Sequence, residues 1–203
     1  MAEIKRTYHE NGELESECFM INDKKNGEYK SYYENGKLYE IYTYVDDKKN
    51  GEYKSYYENG KLKIICTYVD DNKNGEYKQY NEDEQLREIC TCTYVDDKKN
   101  GEYKEYYHNG QLWVISIYIY DNINGEYKCY YENGQLKFIW NFIDNNVNGE
   151  YKCYYENGEL QEICTYVDNK KNGEYKKYDE TGNLIKLCMY KNGELLSEFE
   201  FLY

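Results

Sequence analysis

The sequence predicts an all-β chain: an elongated meander of about eight tandem antiparallel β-hairpins with a 24-residue period, joined in a single twisted or curled sheet. Three observations predict it. Gly-Glu-Tyr-Lys occurs seven times, beginning at Gly27, Gly51, Gly75, Gly101, Gly125, Gly149 and Gly173, in steps of 24, 24, 26, 24, 24 and 24 residues. A second marker, Gly-x-Leu, recurs in register at Leu14, Leu38, Leu62, Leu112, Leu136, Leu160 and Leu184, with Leu86 in the same place without its glycine. The 30 tyrosines, interleaved with Ile, Thr and Val and with no proline anywhere, favour pleated strands.

The consensus unit reads Gly-Glu-Tyr-Lys-x-Tyr-Tyr-Glu-Asn-Gly-x-Leu-x-x-Ile-x-x-Tyr-Val-Asp-Asp-x-Lys-Asn. Its two strand-like runs flank Asn-Gly, the strongest short-range hairpin signal, whose two central residues are expected at positive φ. With Asn35-Gly36 as a two-residue loop, Tyr33 pairs with Leu38, Ser31 with Glu40, Tyr29 with Tyr42 and Gly27 with Tyr44. Cross-strand partners point the same way, so these side chains share an aromatic face. Tyr32, Lys30, Glu28, Tyr39, Ile41 and Thr43 share the opposite, mixed face. The slot of Tyr42 is expected to hold Cys18, Cys66, Cys90, Ser116, Trp140, Cys164 and Cys188 in the other units. The second connection, Val45 to Gly51, reads as a longer polar loop closed by another Asn-Gly.

The two extra residues of the fourth unit, within Ile89-Cys90-Thr91-Cys92-Thr93-Tyr94, are expected to lengthen a strand without swapping its faces, because the side-chain period is two. Residues 1–203 read as one repeat domain: an atypical first unit over about 1–24, regular units over about 25–190, and a capping strand over about 191–203. Lys5 takes the place of Tyr29 in the first unit, and Tyr190-Lys191-Asn192-Gly193-Glu194 is a tight hairpin into the last strand. Counted this way there are 17 strands. At roughly 4.8 Å per strand the sheet is expected to run about 75 Å. The last strand has no Pro or Lys to blunt its edge, and alternation puts Leu195, Phe199 and Phe201 with Ser197 on one side. Self-association as a homodimer through that edge is expected, centred on Leu195, Phe199 and Phe201, whereas Lys5 and Arg6 protect the first strand.

The net charge of −13 disfavours nucleic acid and anionic membrane surfaces, which are met by clustered basic residues, and favours a basic protein partner. Lysines alternate with acids, as in Asp46-Asp47-Lys48-Lys49, so no basic patch emerges. No apolar stretch follows Met1-Ala2-Glu3-Ile4-Lys5-Arg6 and no run nears the roughly 20 residues of a membrane helix, so a cytoplasmic protein with eight reduced thiols is expected. The single alanine and two arginines against 24 lysines point to an AT-rich genome, in a low-GC bacterium, a protist or a giant virus, with the host cytoplasm as the location in the viral case.

Catalytic groups are scarce. His9 and His108 stand beside hairpin turns, without a Ser or Cys that would make a nucleophile–base pair. No Cys-x-x-Cys pair suggests zinc. Asp70-x-Asn72-x-Asn74-Gly75 and Asp144-x-Asn146-x-Asn148-Gly149 match half of a calcium loop, but its twelfth position is Asn81 or Tyr155 instead of Glu. No catalytic residue, cofactor or metal ligand is assigned. The remaining candidate surface is the tyrosine row Tyr32, Tyr56, Tyr80, Tyr106, Tyr130, Tyr154 and Tyr178, either bracing the sheet or forming a partner-binding groove.

The pattern Gly-x-Tyr-x-x-Tyr-Tyr-x-Asn-Gly-x-Leu resembles the MORN-repeat family, in its divergent variant, which is similar to the repeats of bacterial antitoxin-like proteins and of MORN proteins from low-GC bacteria and giant viruses. The resemblance covers nearly the whole chain. It implies a meander of hairpins, a role in protein interaction or scaffolding, in some members a phospholipid contact, and no shared active site. Asn81-Glu82-Asp83-Glu84 departs from Tyr-Glu-Asn-Gly at the fourth turn. The expected function is a non-enzymatic scaffold or adaptor that docks proteins along its sheet. The alternatives are an antitoxin or immunity-type protein neutralising one partner, and a peripheral membrane organiser.

Overall fold

The computed structural model describes residues 1–82 and 88–202, with the backbone alone for residues 88–91. No helix occurs among the described residues, and the strands form antiparallel sheets of consecutive hairpins that do not close. The chain divides into two compact units, Met1–Asn100 and Gly101–Tyr203.

The first unit runs β1 (Ala2–Tyr8), β2 (Leu14–Ile21), β3 (Lys24–Tyr32), β4 (Leu38–Val45), β5 (Lys48–Tyr56), β6 (Leu62–Val69), β7 (Asn72–Tyr80), β8 (Glu88–Val95) and β9 (Lys98–Lys99). Each strand pairs antiparallel with the next. The second unit runs β10 (Gly101–Tyr106), β11 (Leu112–Ile119), β12 (Asn122–Tyr130), β13 (Leu136–Ile143), β14 (Asn146–Val147), β15 (Gly149–Tyr154), β16 (Leu160–Val167), β17 (Lys170–Tyr178), β18 (Leu184–Lys191) and β19 (Glu194–Glu200). Here β14 and β15 both pair with β13, as two pieces of one strand interrupted at Asn148.

The expected pairs Ser31–Glu40, Tyr29–Tyr42 and Gly27–Tyr44 are present, but Leu38 lies opposite Tyr32, not Tyr33. The reason is the turn. Tyr33 donates its N–H to the Lys37 carbonyl, and Gly36 donates to that of Tyr33, which makes Glu34-Asn35-Gly36 a three-residue loop. Of Asn35 and Gly36, only Gly36 has a positive φ, at 77°. Asn35 instead accepts the Lys37 N–H through Oδ1 at 3.0 Å. The two-residue turn with both centres at positive φ is the other connection, at Asp46 (47°) and Asp47 (68°). What read as a long polar loop is therefore a tight turn, and Lys48 already opens β5. The ladder then shifts where Asn50-Gly51 passes Tyr42, and Gly51 takes a φ of 89° there.

The fourth unit also differs from expectation. Tyr77 lies opposite Cys92, as Tyr53 lies opposite Cys66, so Cys92 and not Cys90 fills the slot of Tyr42. Strand β8 keeps the eight residues of its counterparts. The two extra residues thus fall before Glu88, in the connection, and face order survives without a longer strand. The departing turn at 83–87, with Leu86, lies outside the described residues.

Each unit is one sheet, so burial comes from neighbours on the same face. Cys18, Cys66 and Cys92 are 6%, 3% and 2% exposed because each small thiol sits opposite a tyrosine ring, Tyr29, Tyr53 or Tyr77. Cys18, Tyr42 and Tyr44 form one core cluster, with Met20, Tyr29 and Tyr53 packed on it. In the second unit Cys164, Tyr175 and Cys188 repeat it against Tyr151, Tyr166 and Tyr190. Alternating large and small residues across the ladder lets rings fill space that a tyrosine-only row would overpack.

Candidate interaction surface

Successive hairpins are fastened at both edges. At the three-residue loops, Tyr33, Tyr57, Tyr107, Tyr131 and Tyr155 each donate their hydroxyl to a carbonyl 23 residues on, at 2.7–2.9 Å. His9 occupies the corresponding place in the first hairpin, donating Nε2–H to the Tyr32 carbonyl at 2.9 Å. Its position beside a turn therefore serves stacking between units. At the two-residue turns the second Asx binds the preceding unit: Asp47 accepts the Lys25 N–H at 2.8 Å, and its own N–H donates to the Lys25 carbonyl at 2.9 Å. Asn145 and Asn169 make the same bond with Ile123 and Val147. The second calcium-like run is taken up by such contacts: Asp144 accepts from the Asn124 amide at 3.0 Å, Asn146 accepts from Asn169 at 2.7 Å and Asn148 donates to Asp168 at 3.0 Å. Among the described residues no group of His, Cys, Asp and Glu could hold a metal ion.

The mixed face carries a regular lattice. In seven hairpins a Glu-x-Lys pair makes an ion pair along its strand, from Lys30–Glu28 to Lys176–Glu174. The lysines lie flatter, 29–36% exposed against 51–65% for the glutamates. Lys30 faces Ile41 across the ladder, so its aliphatic stem covers the isoleucine. Beyond these rows Val45, Val69, Ile117, Ile119, Ile143 and Val167 are exposed. The candidate tyrosines Tyr32, Tyr56, Tyr80, Tyr106, Tyr130, Tyr154 and Tyr178 are all half-buried on this side, and Tyr32 donates its hydroxyl to Glu17 at 3.1 Å.

The aromatic face has an element that composition did not reveal. Lys25, Lys49, Lys73 and Lys171 lay their ammonium groups over tyrosine rings, Lys49 at 4.3 Å from the centroid of Tyr42. The signal is a lysine two residues before five of the seven Gly-Glu-Tyr-Lys copies, with Ile123 and Val147 in the other two. Burial pushes the Tyr68 and Tyr166 phenols up to about 12 and the Cys66 thiol up to about 11. Burial likewise raises Cys18, Cys129 and Cys164, so these thiols stay protonated and no activated nucleophile results.

The C-terminal strand departs from its expected pattern. Phe199 pairs with Leu187 and Ser197 with Met189, but the register shifts at Leu196 and Leu195 pairs with Tyr190. Leu195 therefore lies on the face opposite Phe199. The segment remains apolar and open, with Leu195, Leu196 and Phe199 at 49%, 61% and 57% exposure.

Eight tandem copies of the MORN repeat variant match at residues 4–22, 25–46, 49–70, 73–91, 99–120, 123–144, 147–168 and 171–192. The chain belongs to this family. MORN repeats are a non-enzymatic class that mediates protein or membrane interaction. Among solved structures, the crystal structure of TcdB2-TccC3-Cdc42 is similar over 94% of this chain and 12% of its own, at 14% identity and a TM-score of 0.25. That of TcdB2-TccC3 is similar over 91% of this chain and 12% of its own, at 13% identity and 0.27. This MORN array thus spans about an eighth of those two chains. A porin-like protein from Bacteroides uniformis ATCC 8492 is similar over 98% of this chain and 93% of its own, at 10% identity and 0.22. No curated protein matches.

Proposed function

We propose that this MORN array is a non-enzymatic scaffold that docks a protein partner along its mixed face. The observation that carries this reading is the exposed apolar residues that repeat within each unit, Val45 and Val69 in the first and Ile117, Ile119, Ile143 and Val167 in the second, set between glutamates and lysines that neutralise each other in pairs. Apolar groups left open beside fixed, alternating charges suit a protein surface: the former supply burial and the latter set register. The half-buried tyrosines Tyr32, Tyr56, Tyr80, Tyr106, Tyr130, Tyr154 and Tyr178 border that row and contribute large contact area at small entropic loss. The net charge of −13 favours a basic partner. A second contact is the open edge of β19, which suits pairing with its own copy as a two-fold homodimer.

Affinity capture from native cells, read by mass spectrometry, tests the docking face. Ile117→Asp with Ile143→Asp places charge on the mixed face without touching the buried cysteine row. The expected result is a captured protein that binds the parent chain and is lost with this double variant. A partner retained at parental level by the double variant overturns the assignment to this face.

A further inference from the structure

The aromatic face of the second unit lies opposite the mixed face, and its chemistry does not depend on which partner the mixed face takes. In the first unit Lys49 stands opposite Tyr44, and its ammonium lies 4.3, 5.4 and 5.5 Å from the ring centroids of Tyr42, Tyr53 and Tyr68. Tyr42 and Tyr53 are 5.7 Å apart, and Tyr53 and Tyr68 5.6 Å. The fold thus makes a three-ring cage and fills it with its own cation.

The second unit sets three rings at the corresponding positions, Trp140, Tyr151 and Tyr166, the counterparts of Tyr42, Tyr53 and Tyr68. Trp140 lies 4.1 Å from Tyr151 and 5.2 Å from Tyr166, with the two tyrosines perpendicular at 6.3 Å. The place of Lys49 is taken by Val147, which stands opposite Phe142. Valine brings no charge, and Lys171, which stands opposite Tyr166, lays its ammonium over Tyr175 and Tyr190 instead, so among the described residues no cation is placed over this cage, although the indole is the ring that attracts one most strongly. All three rings are half-buried and so keep an edge or face to solvent. Glu162 is near enough to act on both Tyr151 and Tyr166, whose phenols are raised first by burial and further by this carboxylate. A negative charge beside an uncharged aromatic cage is complementary to a cation from outside.

We propose that Trp140, Tyr151 and Tyr166 bind a cationic side chain, lysine or arginine, presented by a basic protein partner. The guest ammonium or guanidinium occupies the position that Lys49 fills in the first unit.

Trp113→Phe leaves Trp140 as the single indole and supplies the reporter. Its emission is followed against tetramethylammonium chloride and against acetylated, amidated Lys- and Arg-containing tripeptides, with sodium chloride at matched ionic strength as the control. The expected result is a saturable change with each cation and none with sodium. Val147→Lys restores the residue found at 25, 49, 73 and 171, a slot whose lysine the fold already accommodates, and fills the cage from within. It is expected to weaken the response at least about tenfold, the scale of a desolvated cation–π contact. Circular dichroism and the melting temperature verify that this variant folds. Glu162→Gln, which leaves the rings untouched, is expected to weaken binding about threefold, the scale of a solvent-accessible ion pair. Three results would each overturn the proposal: no saturable change, a response surviving in folded Val147→Lys, or a response to tetramethylammonium but to neither tripeptide.

Discussion

Asp47 does two things at one position that few residues combine. It holds a φ of 68°, in the left-handed region that short polar residues tolerate, and it accepts the Lys25 N–H at 2.8 Å. Replacements separate the two. Asp47→Asn keeps both, as Asn145 and Asn169 do at the same slot, and should stay within about 0.5 kcal/mol of the parent. Asp47→Gly relieves the backbone but leaves the Lys25 N–H without its acceptor, for a loss of about 1 kcal/mol. Asp47→Ala loses the acceptor and keeps a Cβ at positive φ without the polar side chain that offsets its strain, for a loss of about 2 kcal/mol. Urea unfolding of the three variants checks the order; an alanine variant as stable as the asparagine one would mean that the turn is held by its own backbone bonds. This position also marks where sequence reading stopped. Asn35-Gly36 carries the strongest hairpin signal, yet Asn35 spends its side chain on the Lys37 N–H and only Gly36 needs a positive φ. The clue to the true two-residue turns was Asn192-Gly193, recognisable as tight and in register with Asp46-Asp47.

At the scale of the strand, the face assignments were legible because the side-chain period of two leaves little freedom once one pair is fixed: Tyr29–Tyr42 determined Glu28, Lys30 and Ile41 on the other side. Bulges were not legible. The shifts at Leu196, at Tyr39 and around Gly51 change which residues oppose each other without changing the repeat length, so the spacing records nothing of them. The seven tyrosines of the candidate row lie on the mixed face, as the period of two implies, but the cage around Lys49 depends on a register set by one of these shifts. Strand β19 shows the functional side of this. With Leu195 turned to the face of Tyr190, its two faces each keep an open apolar group, Leu195 on one and Phe199 on the other. A strand with no Lys or Pro and apolar groups on both faces suits pairing along its free edge. Deleting residues 194–203 is expected to convert a dimer of the parent chain to a monomer in multi-angle light scattering. An unchanged oligomeric state excludes edge pairing, and a monomeric parent that melts earlier on truncation makes the strand a cap.

For the whole molecule the deciding quantity is where the lysines are spent. A negative charge of 13 could still hide a basic stripe if cations clustered and acids lay elsewhere. Among the described residues the lysines are spread over both faces and the turns. Lys30, Lys54, Lys104, Lys128, Lys152 and Lys176 are each committed to a glutamate two residues away, and Lys25, Lys49, Lys73 and Lys171 to tyrosine rings. Of those that project at the two-residue turns, Lys48 and Lys98 each follow a pair of aspartates and Lys24 and Lys170 a single one, so across these turns aspartates outnumber the projecting lysines. A basic residue near an anionic bilayer gains about 1 kcal/mol, and an acid within a Debye length of roughly 8 Å offsets it. Along these edges acids outnumber bases, so the electrostatic contribution to membrane attachment is repulsive. Sedimentation with phosphatidylserine-containing vesicles at physiological salt is therefore expected to recover no more protein than sedimentation with neutral vesicles. Lowering the salt should reduce recovery further, because repulsion lengthens as screening falls. Strong binding that weakens as salt is added would reverse that sign, and would mean that the projecting lysines act as a stripe despite the aspartates beside them.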